Sequence, residues 1–230
     1  MTIGYGLTVD KPCTETLACT NIKELLTCQL QLIYADLSFR TIGQIIAIDH
    51  CYHLYSGISK FQPKLHDSKI VRICRITGNP DQFGKLYLNQ NSRLRIRLPV
   101  DKIPLFYSLA GKSLRIGENT IRLGIPQIEL LQPTEKLRSR IVFIKGCQEP
   151  KSFLKVAQRQ IEQLGIKGTV NIQTNLDGTP KRRTIKVKES TLVGFGLEVK
   201  HLSEEDSLIL QAYSIGGKHT MGCGFFVPLK

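Results

Sequence analysis

Cations recur at every second position in three separate stretches of this sequence, and that spacing restricts those stretches to extended strands. Arg93, Arg95 and Arg97 alternate with Leu94, Ile96 and Leu98; Lys136, Arg138 and Arg140 alternate with Leu137, Ser139 and Ile141. In the third stretch Arg182, Lys186 and Lys188 share one parity while Ile185 and Val187 take the other. Successive side chains of a strand point to opposite faces, so each stretch has one basic face and one face available to a core. A single such strand is the familiar edge guarded by lysines. Three of them, mostly arginine, point to phosphate, because the planar guanidinium matches phosphate oxygens better than an ammonium does.

The overall balance agrees. The 230 residues hold 32 Lys and Arg against 19 Asp and Glu, a formal charge of +13. Residues 1–66 sum to zero, so the whole excess lies after residue 66. With 41% hydrophobic and 22% charged residues, the chain is not a disordered basic tail and can bury a core. Its longest charge-free apolar stretch, Thr41 to Ile48, is far shorter than the roughly 20 residues of a spanning helix. The N-terminal residues MTIGYGLTVDKP lack a basic region followed by an apolar one, which leads to the expectation of a cytoplasmic chain without membrane partners. Seven cysteines, an odd number without CxxC spacing, are expected to be free thiols.

Periodicity places strands at about 27–39, 69–77, 85–98 and 113–131. Between them, Asp49 is an expected N-cap of a helix burying Cys51, Leu54, Tyr55, Ile58 and Phe61, and a short helix covers roughly 101–110. The order is βαββαβ, the ferredoxin-like pattern. After the polar break at 132–135 it starts again. A strand at 137–145 leads to a helix opened by Pro150, which buries Phe153, Leu154, Ala157, Ile161 and Leu164 and stops at Gly165. Strands follow at about 181–188 and 191–199, then a last helix with Ser203 and Asp206 as its capping box, and a final strand, Phe225 to Leu229. Residues 168–173 read as an extra strand ahead of the Asp177-Gly178 turn. The fold class is therefore α+β, with two tandem ferredoxin-like (RRM-like) domains, 1–134 and 135–230.

Several chemistries are excluded. Gly111-Lys112-Ser113 resembles the end of a phosphate loop, but Phe106 stands where that motif needs glycine. Glu204, Glu205 and Asp206 sit at a helix start, where they favour the dipole and are not read as a catalytic pair. Cys51 and His53 lack further zinc ligands at a suitable spacing, so no metal is expected. Two constellations remain. His50 and His53 are placed i and i+3 on the polar side of the first helix, where the dipole would keep His50 neutral. The second is the stretch from Gly216 to Gly224, which contains Gly217, Lys218, His219 and Gly222; its glycines would let backbone N–H groups approach a phosphate. His66, in PKLHD, has a weaker claim.

Most of the chain resembles the CRISPR repeat-processing endoribonucleases of the RAMP superfamily, in particular the MYXAN-type variant. The resemblance is carried by DHCYHLY (49–55), PKLHD (63–67), SRLRIRLP (92–99), LAGKSLRIG (109–117), RRTIKVK with VGFGLEV (182–199) and GGKHTMGCGFFVP (216–228). It implies two ferredoxin-like domains and metal-independent cleavage of repeat RNA to 5′-hydroxyl and 2′,3′-cyclic phosphate ends, without a cofactor. It also implies His50 as the catalytic histidine, with Tyr52, Lys60 and Tyr55, the last equally a core residue, on or near the same helix to orient the ribose. Arg93, Arg95, Arg97, Arg138, Arg140, Arg182, Arg183, Lys186, Lys188 and the residues Gly216, Gly217, Lys218, His219, Gly222 and Gly224 would grip the RNA. The implied partners are CRISPR repeat RNA, the processed guide RNA and other subunits of a CRISPR effector complex. A non-cutting RNA-binding RAMP subunit of such a complex shares the fold and the basic faces and stays open as the alternative.

Overall fold

A computed structural model of the chain describes residues 33–229. The expected strand positions 27–32, together with Cys13, Cys19 and Cys28, lie outside the described residues. In the first half the order is β1 (Tyr34–Ile42), β2 (Ile45–Ala47), α1 (Cys51–Ser59), β3 (Arg72–Ile73), β4 (Asn79–Pro80), β5 (Lys85–Tyr87) and β6 (Arg93–Pro99). It continues with α2 (Ile103–Tyr107), β7 (Ser113–Ile116) and β8 (Asn119–Leu130). The second half holds β9 (Leu137–Val142), α3 (Pro150–Gln163), β10 (Thr169–Ile172), β11 (Arg182–Val187), β12 (Ser190–Lys200), α4 (Glu204–Tyr213) and β13 (Phe226–Pro228).

The first sheet runs β3-β6-β1-β8-β7 and the second β10-β12-β9-β13, with β11 also on β12; every pairing is antiparallel. Setting aside β7 and β11, both sheets put the first and third strands of a βαββαβ unit in the middle. This is the expected pair of ferredoxin-like folds. One core forms where Leu37, Phe39, Leu94 and Ile96 of the first sheet meet Leu54 and Ile58 of α1. A second gathers Phe153 and Ile161 of α3 with Phe195, Leu197, Ile209 and Phe226.

The sequence signals for α3 and α4 match local structure closely. Pro150 occupies the first turn of α3, which buries Phe153, Ala157 and Ile161, and Gly165 follows it with φ +73°. Ser203 Oγ accepts the Asp206 N–H at 3.1 Å, while the Asp206 carboxylate accepts the Lys167 N–H at 3.2 Å. The stretch 168–173 is indeed a strand, β10. Other expectations change. The stretch 69–77 contributes only two residues, Arg72–Ile73, to the main sheet. The stretch 85–98 divides at a turn, where Ser92 N–H donates to Asn89 O at 3.0 Å, and β5 joins β2 and β4 in a separate three-stranded sheet.

Two corrections concern charged residues. Asp49 does not cap α1; its carboxylate accepts the Lys186 N–H at 2.8 Å, so it links the start of α1 to β11. Arg97 does not face a ligand, because it is only 1% exposed. The register sets it opposite Asp36 on β1, to which its Nε and Nη2 donate at 2.7 and 3.0 Å. Its Nη1 donates to Gln211 O at 3.1 Å and Phe226 O at 2.7 Å in the second unit, and its guanidinium lies 4.3 Å from the Phe225 ring centre. Alternation correctly aligned Arg97 with Arg95, but that sheet face turns toward the second unit.

A buried ion pair is costly to break one side at a time. Arg97→Ala should lose about 3–5 kcal/mol of stability in urea unfolding. The double variant with Asp36→Ala should lose less than the sum of the two singles. A loss for Arg97→Ala below about 1 kcal/mol, the range of an exposed pair, would contradict this role.

Candidate active site and nucleic-acid interface

The seam between the two units opens into two adjoining depressions, both touched by the loop that precedes β13. The larger, about 670 Å³, lies between α1, the segment after it and the glycine loop. Tyr52 and Tyr55, three residues apart on α1, line it together with His66, Lys69, Arg72, Lys188, Tyr213, Lys218 and His219. Tyr55 is rooted in the first core, and its hydroxyl meets His66 Nδ1 at 2.5 Å. Burial raises the Tyr55 pKa, so the phenol stays protonated at neutral pH.

His66 is exposed but held in place. It ends a 3-10 turn, Pro63–Leu65, whose Leu65 is buried in the core. Ahead of that turn, the Gln62 amide donates to Leu105 O at 2.8 Å and to Ser108 Oγ at 3.0 Å. A phenol that can both accept and donate supports either tautomer of the imidazole.

The glycine loop is built by left-handed backbone. Lys218, Gly222 and Gly224 have φ of +61°, +81° and +67°. Its N–H groups do not all face outward as expected. Gly216 N–H donates to Gln160 Oε1 at 2.8 Å, Gly217 to Phe143 O at 2.9 Å and Gly224 to Ile141 O at 2.8 Å. A Cβ at Gly216 would lie 2.5 Å from Phe143 O, so glycine here allows the loop to press against β9. These three glycines therefore pin the loop. What the pinned loop offers to the pocket are the Lys218 and His219 side chains. His219 Nδ1 lies 3.2 Å from Cys223 O, and burial, then the charge of Arg72, lowers its pKa to about 4.

His50 is placed differently from its expected position on a polar helix face. It is fully buried, its Nδ1–H donates to Ala47 O at 2.8 Å, and its Nε2 accepts the Ile76 N–H at 3.0 Å. Burial, above all, and the charges of Arg75 and Arg140 lower its pKa to about 4. It is neutral, as expected, but through desolvation more than through a helix dipole, and both ring nitrogens are engaged. His53 is exposed on α1 and does not share that environment. Of the remaining expected catalytic group, Tyr52 lines the pocket, whereas Lys60 sits exposed at the C-terminal end of α1 and does not.

The second depression, about 440 Å³, is lined by Arg75, Arg95, Arg138, Arg140, Lys181 and Arg183, with no carboxylate in its lining. None of these six makes an ion pair among the described residues. Burial and then the charge of Arg140 lower the pKa of both Arg75 and Arg183. Arg183 Nε is buried without a hydrogen-bond partner. A cluster of this kind is satisfied by an anion. The sequence-expected cations thus separate: Arg95, Arg138, Arg140 and Arg183 line this cleft, while Lys188 lines the first pocket. Arg182 and Lys186 lie on the exposed face of β11, and Arg93 folds back to donate to Gln90 O and Ser92 O at 2.7 and 3.0 Å. Arg75, Lys181, Lys69 and Arg72 escaped the period-two count. Lys69, Arg72 and Arg75 stand three apart, a cationic run that a search for alternation passes over.

Two ferredoxin-like units thus face one another across a basic seam, with a glycine loop before the last strand. Three solved structures share the fold. One is described as CRISPR associated protein Cas6, at a TM-score of 0.61 and 11% identity, with 86% of this chain and 99% of that one covered. A Cas6-related protein from Pyrococcus furiosus follows at a TM-score of 0.57 and 15% identity, with 84% and 98% covered. The third is described as an RAMP protein binding different RNA substrates, at a TM-score of 0.56 and 15% identity, with 86% and 100% covered. The Cas6 family model, described as Cas6 Crispr, matches residues 35–230. The CRISPR-associated endonuclease Cas6 of Myxococcus xanthus strain DK1622 is 30% identical over 197 residues, with 86% of this chain and 82% of that protein covered. The chain belongs to the Cas6 family.

The two depressed histidines make the fold acid-sensitive. Their pKa values near 4 in the folded chain, against 6.5 in an unfolded one, mean that the unfolded chain binds more protons between those values. Stability should be fully present above pH 6.5 and fall as pH drops toward 4, by up to roughly 2–3 kcal/mol for each histidine at pH 4.5. Urea unfolding at pH 7.5 and 4.5 checks this, and equal stabilities at the two values would contradict it.

Proposed function

We propose that this Cas6 chain binds CRISPR repeat RNA across the basic seam and cuts precursor RNA in the pocket between α1 and the glycine loop, with His66 as its catalytic histidine. The observation that carries this reading is the Tyr55–His66 contact: an exposed imidazole, oriented by a buried phenol, in a pocket ringed by cations. His50 has the right helix but no free nitrogen, so its part is to join Ala47 to Ile76.

With Nδ1–H donating to the Tyr55 oxygen, His66 Nε2 has a lone pair for the ribose 2′-OH proton. The 2′-oxygen attacks the adjacent phosphorus, and the bond to the 5′-oxygen breaks. The products are a 2′,3′-cyclic phosphate and, after that oxygen takes a proton from water, a 5′-hydroxyl. Lys69, Lys188 and Lys218 are placed around the pocket to stabilise the charge on the phosphorane oxygens. Tyr52 orients the ribose.

The arginines of the second depression hold backbone phosphates of the same RNA. A division into a first domain to residue 134 and a second from 135, a cytoplasmic location, retention of the processed guide RNA and assembly with other effector subunits belong to the same reading. Among the described residues no helix is long and apolar enough to cross a membrane.

Single-turnover cleavage of a labelled cognate repeat transcript tests the assignment. His66→Ala should slow cleavage by roughly 10² to 10⁴ while RNA affinity and thermal midpoint stay at wild-type values. Cutting should persist in EDTA. His50→Ala, by contrast, should lower stability by about 1–3 kcal/mol for each buried group left unpaired. Wild-type cleavage by a folded His66→Ala variant would overturn the role of His66. A transcript that is bound but never cut by the wild-type protein would favour the non-cutting RNA-binding subunit.

A second series reads the RNA path. Arg140→Ala should make the slope of log K against log salt shallower by about one unit for each phosphate that Arg140 neutralises. An unchanged slope would remove Arg140 from that path.

A further inference from the structure

Two hairpins, one from each half of the chain, rise from the rim of the six-cation cleft, and each carries a large apolar residue at its tip. The first joins β4 to β5. Gly78 and Pro80 at its root line the cleft, and three residues further on Phe83 is 78% exposed. The second joins β10 to β11. Gln173 and Lys181 at its root line the same cleft, and Leu176, three residues from Gln173, is fully exposed.

Neither tip is a loose end. Asp81 Oδ1 accepts the N–H groups of Phe83 and Lys85, both at 2.8 Å, and Asp81 N–H donates to Lys85 O at 2.9 Å. In the other hairpin Asn175 N–H donates to Thr179 O at 2.8 Å, and Asp177 Oδ1 accepts from Thr179 N–H and Oγ1 at 2.9 and 2.6 Å. The roots are fixed as well. Lys181 N–H donates to Gln173 O at 2.6 Å, and a Cβ on Gly78 would stand 2.6 Å from Tyr87 O. Holding a phenylalanine and a leucine out in water on ordered turns gives the fold no burial, so the faces are available to a ligand.

The charge of the cleft decides which ligand fits. Arginines at the floor attract backbone phosphates, and each apolar residue stands at the turn beyond its root. A single strand whose phosphates lie on that floor turns its bases outward, toward the height of the tips. An A-form duplex keeps its bases stacked on one another and leaves no open base face for the prongs to cover.

We infer that Phe83 and Leu176 form a two-pronged clamp for unpaired bases, with Phe83 stacking on one nucleobase and Leu176 closing against another, over a single-stranded RNA segment held by the cationic cleft. The inference rests on the reading of the seam as an RNA path and adds to it a site that recognises single strands, separate from the His66 pocket.

The probe is a ten-nucleotide oligoadenylate with 2-aminopurine at its centre, compared with a ten-base-pair RNA duplex, both titrated into the full-length protein across a salt series. Both tips are exposed, so Phe83→Ala and Leu176→Ala should keep the wild-type thermal midpoint. Phe83→Ala should weaken single-strand binding by about 5- to 100-fold, the worth of one base–aromatic stack. It should also abolish the 2-aminopurine quenching and leave the salt slope unchanged, because every phosphate stays paired with its cation. Leu176→Ala should weaken binding less, and Phe83→Trp should restore affinity where Phe83→Leu does not. Duplex binding should not respond to either alanine variant.

Wild-type single-strand affinity for both alanine variants would overturn the clamp, as would a shallower salt slope for Phe83→Ala, which would place its effect on the phosphates. If the wild-type protein cuts the repeat transcript yet shows no quenching with the oligoadenylate, the clamp falls and the endonuclease reading stands. If it neither binds nor cuts the transcript, the endonuclease reading falls.

Discussion

The guanidinium of Arg97 is the point on which the arrangement of the two units turns. It is buried against a carboxylate from its own sheet and two carbonyl oxygens from the other unit, under the Phe225 ring. An ion with five donors is tolerated in a dry interior only when partners stand in the right directions, and here those partners come from β1, α4 and β13 together. The two sheets are thereby fixed in one relation. Asp49 adds a second link by accepting the Lys186 N–H, and Cys51, Ile141, Ile185 and Cys223 close a small apolar cluster across the same seam.

Both depressions follow from that arrangement. His66 and Tyr55 come from the first unit, Lys188, Lys218 and His219 from the second, and the pocket exists because the two are held face to face. The cationic cleft is similarly shared, with Arg75 and Arg95 on one side and Arg138, Arg140 and Arg183 on the other. The glycine loop touches both: Met221 packs into the first core, and a Cβ on Gly222 would meet Cys51 Sγ at 3.1 Å. Gly222 thus serves close approach between the units, while Gly216 presses the loop onto Phe143 of its own unit.

The fold was legible because its signals are local. Pro150 before an apolar period, Ser203 ahead of Asp206, and alternating cations each mark an element without reference to the rest of the chain. What stayed hidden depends on long-range geometry. Alternation shows that Arg93, Arg95 and Arg97 share a face but cannot show which of them a neighbouring unit covers. The one local trace of that burial is Asp36, the only carboxylate between Glu24 and Asp49, sitting among Tyr34, Ala35 and Leu37. His50 and His66 were both visible as histidines near the first helix. Helical spacing favoured His50, whereas the hydrogen bonds that engage it come from Ala47 and Ile76, and the one that orients His66 comes from Tyr55, eleven residues earlier in the chain.

The central claim is that the scissile phosphate sits in the pocket shared by His66 and the glycine loop. A crystal structure of the protein bound to its repeat RNA, with a 2′-deoxynucleotide upstream of the cut to prevent reaction, tests it directly. The place a 2′-hydroxyl would take on that deoxyribose should lie within about 2.6–3.2 Å of His66 Nε2, hydrogen-bonding reach for a proton transfer. The non-bridging phosphate oxygens should face the lysines of that pocket. A scissile phosphate seated elsewhere, beyond the reach of His66, would contradict the account.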